Sequence, residues 1–165
     1  MPSSPPNPDR EPGRHQPVHW PHGEPGNRSV IIYVTVCTKD RRPILANADA
    51  VAAIRRAWEE ADAWVIGRYV ILPDHLHFFC SPRATDVSLA RWIKFWKARA
   101  SQSWPRREEQ PVWQRDFWDT ELRQGDSYAS KWDYTYRNPV RHALVAQPEE
   151  WPWAGEIESL FWYEP

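Results

Sequence analysis

Two histidines placed two residues apart are the first residues in this chain whose types and spacing could support chemistry. His75 and His77 lie in segment 69–81, where two apolar runs flank a Pro-Asp turn. Side chains on a strand alternate between its faces, so both imidazoles project from the same face. Neutral imidazole is a common metal ligand, although a histidine on a strand is more often a hydrogen-bonded structural residue. The pair predicts a metal site only if the rest of the chain supplies partners.

Candidate partners lie farther along the chain, in a predicted helix. Tyr134 and Asn138 are four residues apart, and positions i and i+4 share one helical face. Tyr128, Trp132 and Tyr136 form a stripe roughly opposite, so Tyr134 is separated from it. Periodicity alone favours a plainer alternative, in which this helix is buried on both sides and Tyr134 is one more core aromatic.

Together, the two segments could hold one divalent cation beside a phenol. The ligands would be His75, His77 and Asn138, with open positions for water and substrate oxygens. Two imidazoles and an amide oxygen suit Mn²⁺, and Mg²⁺ would serve if waters and phosphate oxygens complete an octahedron. A phenol has a reference pKa of about 10, so Tyr134 needs help to act as a nucleophile. A cation on the phosphate supplies part of that help, and the product would be a phosphotyrosine ester.

The elements that must position these residues are predicted from hydrophobic periodicity. Segments 30–38 and 65–72 are rich in β-branched and aromatic residues and are expected to be strands. The two-residue Pro-Asp link makes the histidine strand the hairpin partner of the second one, inside an antiparallel sheet. A helix capped by Asn47 or Asp49 separates the first two strands. The predicted fold class is α+β, an antiparallel sheet with helices packed on it.

The last predicted helix begins at residues 125–127 and carries Tyr134. It is expected to end at about Asn138, because Pro139 disfavours helical geometry at the residue before it. Segment 111–123 before it is expected to form one or two short strands.

Another helix is predicted over residues 86–103, and its polar side is basic. Outside its apolar stripe lie Arg91, Lys94, Phe95, Lys97 and Arg99. This is either a solvated basic face with one stray aromatic or a surface where cations meet phosphates while Phe95 stacks on a base. These residues are the first candidates for contacts with DNA, and Arg41 and Arg42 are the second; charge placement alone selects them.

Length and composition favour one domain with two unusual ends. The chain has 165 residues, a net charge of -1 and 12 tryptophans. We expect most of the tryptophans to pack in the core or against the surface, and some could stack on nucleobases. Residues 1–27 include eight prolines and three glycines and are expected to be a disordered arm. Residues 28–147 carry 19 basic and 14 acidic side chains, which is compatible with a phosphate backbone as partner. Residues 148–165 are expected to be an acidic, Trp-rich tail packed on that domain.

Cysteine usage and hydropathy predict the compartment. Cys37 and Cys80 lie in strand-like runs without metal-binding spacing, as expected for buried thiols in a reducing cytoplasm. No apolar segment approaches the length of a membrane span, and the N-terminus lacks the layout of a signal peptide. A soluble cytoplasmic protein is expected.

Longer motifs around these residues carry a family resemblance. Segment 69–78 resembles the His-hydrophobic-His (HUH) metal-binding motif of the single-tyrosine transposases, also called IS200-like. Segment 134–145 resembles the catalytic helix of their REP-associated tyrosine transposase branch. Segments 113–119, 122–123 and 151–153 fit that branch too, in the same order.

The resemblance implies a ferredoxin-like antiparallel sheet flanked by helices. It also implies cleavage and rejoining of single-stranded DNA, often at hairpin-forming repeats. Carried over to this chain, His75 and His77 are metal ligands, Tyr134 is the nucleophile and Asn138 is the third ligand. Asn stands where the wider superfamily often has Gln, and Tyr136 stands where a His is frequent. The branch favours a monomer that uses its own metal site.

Two other functions remain open from the sequence. One is a retained transposase fold that binds structured single-stranded DNA without turnover. The other is a zinc hydrolase that uses His75, His77 and a further ligand. Cys80 is three residues from His77, so on a regular strand it faces the wrong way for that site.

Overall fold

Five antiparallel strands form the sheet that carries both histidines, in a computed structural model that describes residues 30–84, 86–123 and 127–161. The strands are β1 Ile32–Cys37, β2 Trp64–Ile71, β3 His75–Pro82, β4 Trp118–Glu121 and β5 Ala154–Glu156. Their order is β4-β1-β3-β2-β5, so the histidine strand β3 is central. The predicted α+β class and the internal position of this strand are confirmed. The expected N-terminal arm lies outside the described residues.

Among the described residues, four α-helices accompany the sheet: α1 Ala48–Glu60, α2 Leu89–Gln102, α3 Tyr128–Tyr136 and α4 Asn138–Arg141. Each of the first three begins at a residue whose side chain accepts a hydrogen bond from the backbone N–H three residues later. The caps are Asn47, Ser88 and Ser127. In the described ranges, none of the helices is both long enough and apolar enough to cross a bilayer.

The two faces of the sheet are covered differently. Leu76 and Phe78 of β3 join the main apolar core under α1 and α2, where Trp58 and Trp96 also lie. Alternate side chains of β3 point to the opposite face, which α3 covers. There the Phe79 ring packs against the Tyr128 ring of α3, with centroids 4.8 Å apart. Because β3 alternates strictly, the histidines lie on the face that α3 covers.

The predicted end of the last helix is wrong. The helix α3 ends at Tyr136, the chain turns at Arg137, and α4 begins at Asn138. Pro139 lies in the first turn of α4, where its missing N–H interrupts no hydrogen bond. Tyr134 and Asn138 therefore do not stack along one continuous helical face, and their environments differ: Asn138 is 1% exposed and the Tyr134 side chain is 48% exposed.

The acidic C-terminal segment contributes the fifth strand, which the sequence did not predict. β5 pairs with the edge of β2, with Gly155 opposite Tyr69. Nearby, the Trp151 indole N–H donates to the Ile71 carbonyl at 2.9 Å. This segment therefore covers a strand edge that would otherwise present unpaired backbone groups.

Candidate active site

A carboxylate holds His75 through one of its ring nitrogens. Nδ1 of His75 lies 2.7 Å from Asp74 Oδ1, and Asp74 Oδ2 accepts from Arg41 Nε at 2.9 Å. An ionised carboxylate only accepts hydrogen bonds, so Nδ1 is the nitrogen that donates to it and Nε2 is left for another partner. Such a carboxylate fixes the ring orientation and increases the basicity of the other nitrogen. Nε2 of His75 is therefore the atom that can bind a cation.

Asp74 is ionised at neutral pH. Burial favours its neutral form, but hydrogen bonds from His75 and Arg41, together with their positive charge, outweigh burial and hold its pKa well below the usual range. The carboxylate therefore keeps its acceptor role towards His75.

His77 is buried as a neutral imidazole. Its Nδ1 lies 2.8 Å from Oγ1 of Thr35, its cross-strand neighbour, and the Tyr33 ring stacks on it with centroids 5.3 Å apart. Burial holds its pKa well below 6.5, and the positive charge of nearby groups such as Lys131 lowers it further. Its buried Nε2 has no hydrogen-bond partner among the described residues. Neutral imidazole with an unengaged Nε2 is the form that binds metals.

Arg141 links the candidate nucleophile to the candidate third ligand. Its Nη1 donates to the Tyr134 carbonyl at 2.7 Å, and its Nη2 donates to Asn138 Oδ1. Its guanidinium carbon also lies 3.7 Å from the centroid of the Tyr134 ring. Because the Tyr134 side chain is about half exposed, the alternative that it is a core aromatic is wrong. Tyr134 is therefore accessible to solvent.

Contacts between rings and hydroxyl groups join the two halves of the site. The His142 ring, just after α4, lies 5.8 Å from the His75 ring, which is itself 4.9 Å from the His77 ring. On α3, the Thr135 hydroxyl lies 3.5 Å from the hydroxyl of Tyr33, which stacks on His77. α3 and α4 therefore lie on the same side of the sheet as the imidazole pair.

A small cavity adjoins this arrangement. It has a volume of about 180 Å³ and is lined by Leu72, Pro73, Asp74, His75, His142 and Leu144. The cavity lies between the start of β3 and the segment after α4, next to the carboxylate–histidine pair.

The side chains of the candidate site can be compared with the ligands that Mg²⁺ or Mn²⁺ would need. In the part of the chain that the structure describes, no three His, Cys, Asp or Glu side chains are grouped to hold a metal. A centre at His75 and His77 therefore needs an oxygen donor of another kind, and the buried amide of Asn138 is such a donor. Buried nitrogens are normally hydrogen-bonded, so the unengaged Nε2 of His77 also fits a ligand role. As predicted, Cys80 lies in the apolar core on the other face.

The predicted DNA-contacting residues of α2 lie away from this site. Arg91, Lys94 and Phe95 are exposed on the helix that covers the opposite face of the sheet. Arg99 is also exposed, and its Nε donates to Glu60 at 2.6 Å. These four side chains are accessible, and their role in binding DNA stays a prediction.

Lys97 is the exception on α2. The prediction that it lies on an exposed face is wrong, because the residue is only 9% exposed and its Nζ donates to the Gln114 carbonyl at 2.5 Å. Burial lowers its pKa to about 8. The ammonium group is used to tie α2 to the loop before β4.

The two second-choice arginines have separate environments. Arg41 contacts the candidate site, since its Nη2 lies 3.3 Å from His75 Nδ1 in addition to its ion pair with Asp74. It reaches this position from a backbone with a φ of 53°, in the left-handed region. Arg42 instead donates from Nη2 to the carbonyls of Glu109 and Pro111, both at 2.6 Å. Arg42 therefore stabilises a loop.

Sequence reasoning missed several residues of the site. Thr35 could be assigned only from the register between β1 and β3, which the sequence does not give. Asp74 directly precedes His75, and its position was a usable signal. Arg141 and His142 lie three and four residues after Asn138, which is helical spacing, so they too could have been found.

The chain matches the model of a known protein family. The family model described as transposase IS200-like matches residues 28–129. The chain belongs to the IS200-like transposase family. The matched residues include His75 and His77 and end before Tyr134 and Asn138.

Two named relatives of this chain belong to one branch of the family. A REP-associated tyrosine transposase of Escherichia coli K12 is 31% identical over 90 residues, which are 54% of this chain and 52% of that protein. A Haemophilus influenzae relative from the same branch is 30% identical over 95 residues, 51% of this chain and 54% of its own length. The resemblance to this branch is confirmed, and the chain spans about half the length of both relatives.

A solved structure shares the fold. It is that of a REP-associated tyrosine transposase bound to a REP hairpin, with a TM-score of 0.66 and 24% sequence identity. The similarity covers 78% of this chain and 77% of that one. The predicted antiparallel sheet flanked by helices therefore matches an IS200-like transposase.

Proposed function

We propose that this family member is a metal-dependent transposase that cleaves and rejoins single-stranded DNA through a covalent 5'-phosphotyrosine intermediate. The observation that supports this most is the link from an exposed phenol to a buried amide, made by Arg141 between Tyr134 and Asn138. The link lies on the face of the sheet that carries His75 and His77. An exposed tyrosine on the same side of the sheet as two buried imidazoles suits attack on a phosphodiester.

The chemical step is a transesterification. The Tyr134 hydroxyl oxygen attacks phosphorus and loses its proton, the new bond to the 5'-phosphate forms, and the bond to the 3'-oxygen breaks. The 3'-oxygen leaves as a hydroxyl group once it has taken up a proton. Rejoining is the reverse, with a 3'-hydroxyl attacking the phosphotyrosine and restoring the phenol. No net oxidation or hydrolysis occurs, so the energy of the phosphodiester is kept.

His75, His77 and Asn138 would hold the divalent cation, Mg²⁺ or Mn²⁺, that polarises a phosphate oxygen and offsets its developing charge. The protein's own part is to orient both imidazoles. Asp74 does so for His75 through Nδ1, and Thr35 does so for His77. These bonds fix the ring positions before a phosphate arrives.

The proposed substrate is single-stranded DNA at hairpin-forming repeats. This rests on membership of the family and on the named partner of the solved relative, a REP hairpin. On this chain, cations beside the site, Arg41 and Arg141, would meet the phosphate to be cleaved. Exposed Lys94 and Phe95 on α2 would serve a more distant part of the DNA, with the phenyl ring stacking on a base. We further propose that the enzyme acts as a monomer on its own metal site.

A covalent-adduct assay tests this function. The protein is incubated with end-labelled single-stranded hairpins and Mn²⁺ or Mg²⁺, then denatured and separated on a gel. We expect a protein–DNA adduct that needs the metal and is lost in Tyr134→Phe. Tyr136→Phe is the matched control, because that ring is two residues away and stacks on Trp132.

Three results would contradict the proposal. Hairpin binding without adduct or cleavage at any metal concentration would favour a non-catalytic DNA-binding protein. Cleavage that persists in Tyr134→Phe and leaves no adduct would indicate a hydrolase instead. An adduct lost equally in both tyrosine variants would remove Tyr134 from its assigned role.

A further inference from the structure

Arg141 makes more contacts within the candidate site than any assigned role explains. One end of its guanidinium donates to the Tyr134 carbonyl, the other end donates to the Asn138 side chain, and the plane lies against the Tyr134 ring. Arginine's rigid fork allows two such bonds at once, and its flat cation stacks on an aromatic face. A single side chain therefore connects the backbone and ring of the nucleophile to the candidate metal ligand.

The break between α3 and α4 explains why the Tyr134 carbonyl is available to this fork. Carbonyls in the last turn of a helix have no partner within the helix. Because α3 ends at Tyr136, the carbonyl of Tyr134 lies in that turn. A cation at a helix C-terminus is also favoured by the helix dipole. Arg141 thus fixes the end of α3 that carries the phenol.

At Asn138 the same guanidinium occupies the atom that a cation would use. Of the two polar atoms of this buried amide, Oδ1 accepts from Arg141, and Nδ2 has no partner among the described residues. The Arg141 bond therefore determines which way the amide faces. A divalent cation binds an amide through its oxygen, and two positive groups on one oxygen repel each other strongly at low dielectric.

We propose that Arg141 is a positioning residue that competes with the divalent cation for Asn138 Oδ1 while it holds the Tyr134 ring. This inference rests on the proposed function, because it takes Asn138 as a ligand and Tyr134 as the nucleophile. Binding of the cation at Oδ1 displaces one arm of the guanidinium, and that arm becomes available to the phosphate. Metal binding and the orientation of the nucleophile are thereby coupled through one side chain.

The test measures metal affinity directly, without DNA. Full-length protein is treated with EDTA, dialysed and titrated with Mn²⁺, with the free ion followed by its electron paramagnetic resonance signal. The variants are Arg141→Gln, Asn138→Ala and the double substitution. Arg137→Gln is the matched control, because Arg137 is an exposed arginine one turn away that pairs with Asp133.

We expect Arg141→Gln to bind Mn²⁺ about fivefold more tightly than the unsubstituted protein. Arg137→Gln should change the affinity by less than about twofold. In the Asn138→Ala background, Arg141→Gln should likewise gain less than about twofold, because the shared oxygen is gone. The adduct assay should show slower adduct formation in Arg141→Gln at saturating Mn²⁺ and saturating hairpin, since the ring is no longer held.

Other outcomes would overturn the inference. Unchanged or weaker Mn²⁺ binding by Arg141→Gln excludes competition at Oδ1. An equal gain in the Asn138→Ala background means that simple charge repulsion is responsible. If the unsubstituted protein forms the metal-dependent adduct and Arg141→Gln gains no affinity, only this inference fails. If the unsubstituted protein binds no Mn²⁺ at all, the proposed metal-dependent function fails with it.

Discussion

The two faces of the central sheet have opposite chemistry, although the same strand builds both. On the α1–α2 face, Phe78 lies among Trp58, Trp92 and Trp96, with ring centroids about 6 Å apart. On the α3 face, His77, which directly precedes Phe78 in β3, is just as buried but contacts a hydroxyl group and a tyrosine ring. Both faces bury nitrogens without a partner among the described residues, but those of Trp58 and Trp96 are indole N–H groups, whereas an imidazole nitrogen such as that of His77 can bind a cation.

This difference indicates which face contributes most to stability and which face carries the candidate site. Burying a polar nitrogen without a hydrogen-bond partner destabilises the folded state, whereas burying the apolar surface of an aromatic ring stabilises it. The buried Nε2 of His77 therefore reduces stability unless a ligand compensates, and such sites are often functional. Substitutions on the two faces should consequently affect different measurements.

The largest expected effect is on the apolar face. Trp96 is fully buried, so Trp96→Ala should lower the free energy of unfolding by about 3–5 kcal/mol. Phe95→Ala is the control, because that neighbouring ring is 49% exposed and its loss should change stability by less than about 0.5 kcal/mol. Equilibrium unfolding in urea measures both. Similar values for the two variants would contradict the assignment of the core.

The next effect is on metal binding by the other face. Thr35→Val removes the hydroxyl group that orients His77 and should weaken Mn²⁺ affinity by about 10–100-fold. Thr120→Val on the neighbouring strand β4 is exposed and should leave the affinity unchanged. Calorimetric titration with Mn²⁺ compares them. A loss of thermal stability without a loss of affinity would make Thr35 purely structural.

The pH dependence of stability should also reveal the imidazole face. In the folded protein, burial holds the His77 pKa well below 6.5, whereas the unfolded chain takes up a proton near 6.5. The unfolded state then binds more protons, so stability falls as pH drops below about 6.5. Asp74, whose folded pKa is also lowered, contributes a loss only below about pH 3.8. The free energy of unfolding, measured with urea between pH 5 and pH 8, should depend less on pH in His77→Gln than in the unsubstituted protein. The slope should be smaller by at most about 1.4 kcal/mol per pH unit.

DNA binding offers a smaller contrast between the faces. Lys94 is exposed on α2, and Lys131 lies on α3 with its Nζ 4.7 Å from the centroid of the Tyr33 ring. If each contacts one phosphate, Lys94→Gln and Lys131→Gln should each reduce the salt dependence of hairpin binding by about one ion. Titrations of labelled hairpin at several salt concentrations measure this. An unchanged slope in Lys94→Gln alone would restrict the DNA to the imidazole face.

Backbone strain gives the smallest expected effect. The non-glycine residues with positive φ in the described ranges are Asp40, Arg41 and Ala143, and all lie in segments that carry site residues. Ala143 has a φ of 55°, so Ala143→Gly should raise stability by about 0.5–1 kcal/mol. Ala146→Gly, without positive φ, should lower it slightly. Thermal unfolding distinguishes the two, and an equal change in both would show that Ala143 is unstrained.

Much of the fold was predictable because local signals agreed with it. Alternation of apolar and polar residues in β3 placed His75 and His77 together, and the Pro-Asp turn set β2 beside β3. Asn47 and Ser127 begin helices where side-chain capping favours a start. The prediction of the last helix was wrong because a proline is compatible with two structures. Pro139 can follow the end of one helix or lie in the first turn of another, and here it lies in the first turn of α4.

The sequence by itself determined the histidine pair on one strand face and the pairing of Tyr134 with Asn138 as candidates, because strand and helix periods are local properties. Only the tertiary structure decided that Asn138 is buried, that Tyr134 is exposed and that Lys97 is used inside the protein. It also supplied Thr35, Asp74 and Arg141 as the groups that orient the four candidates. Strand register and helix breaks depend on contacts between distant segments, and no local pattern encodes those contacts.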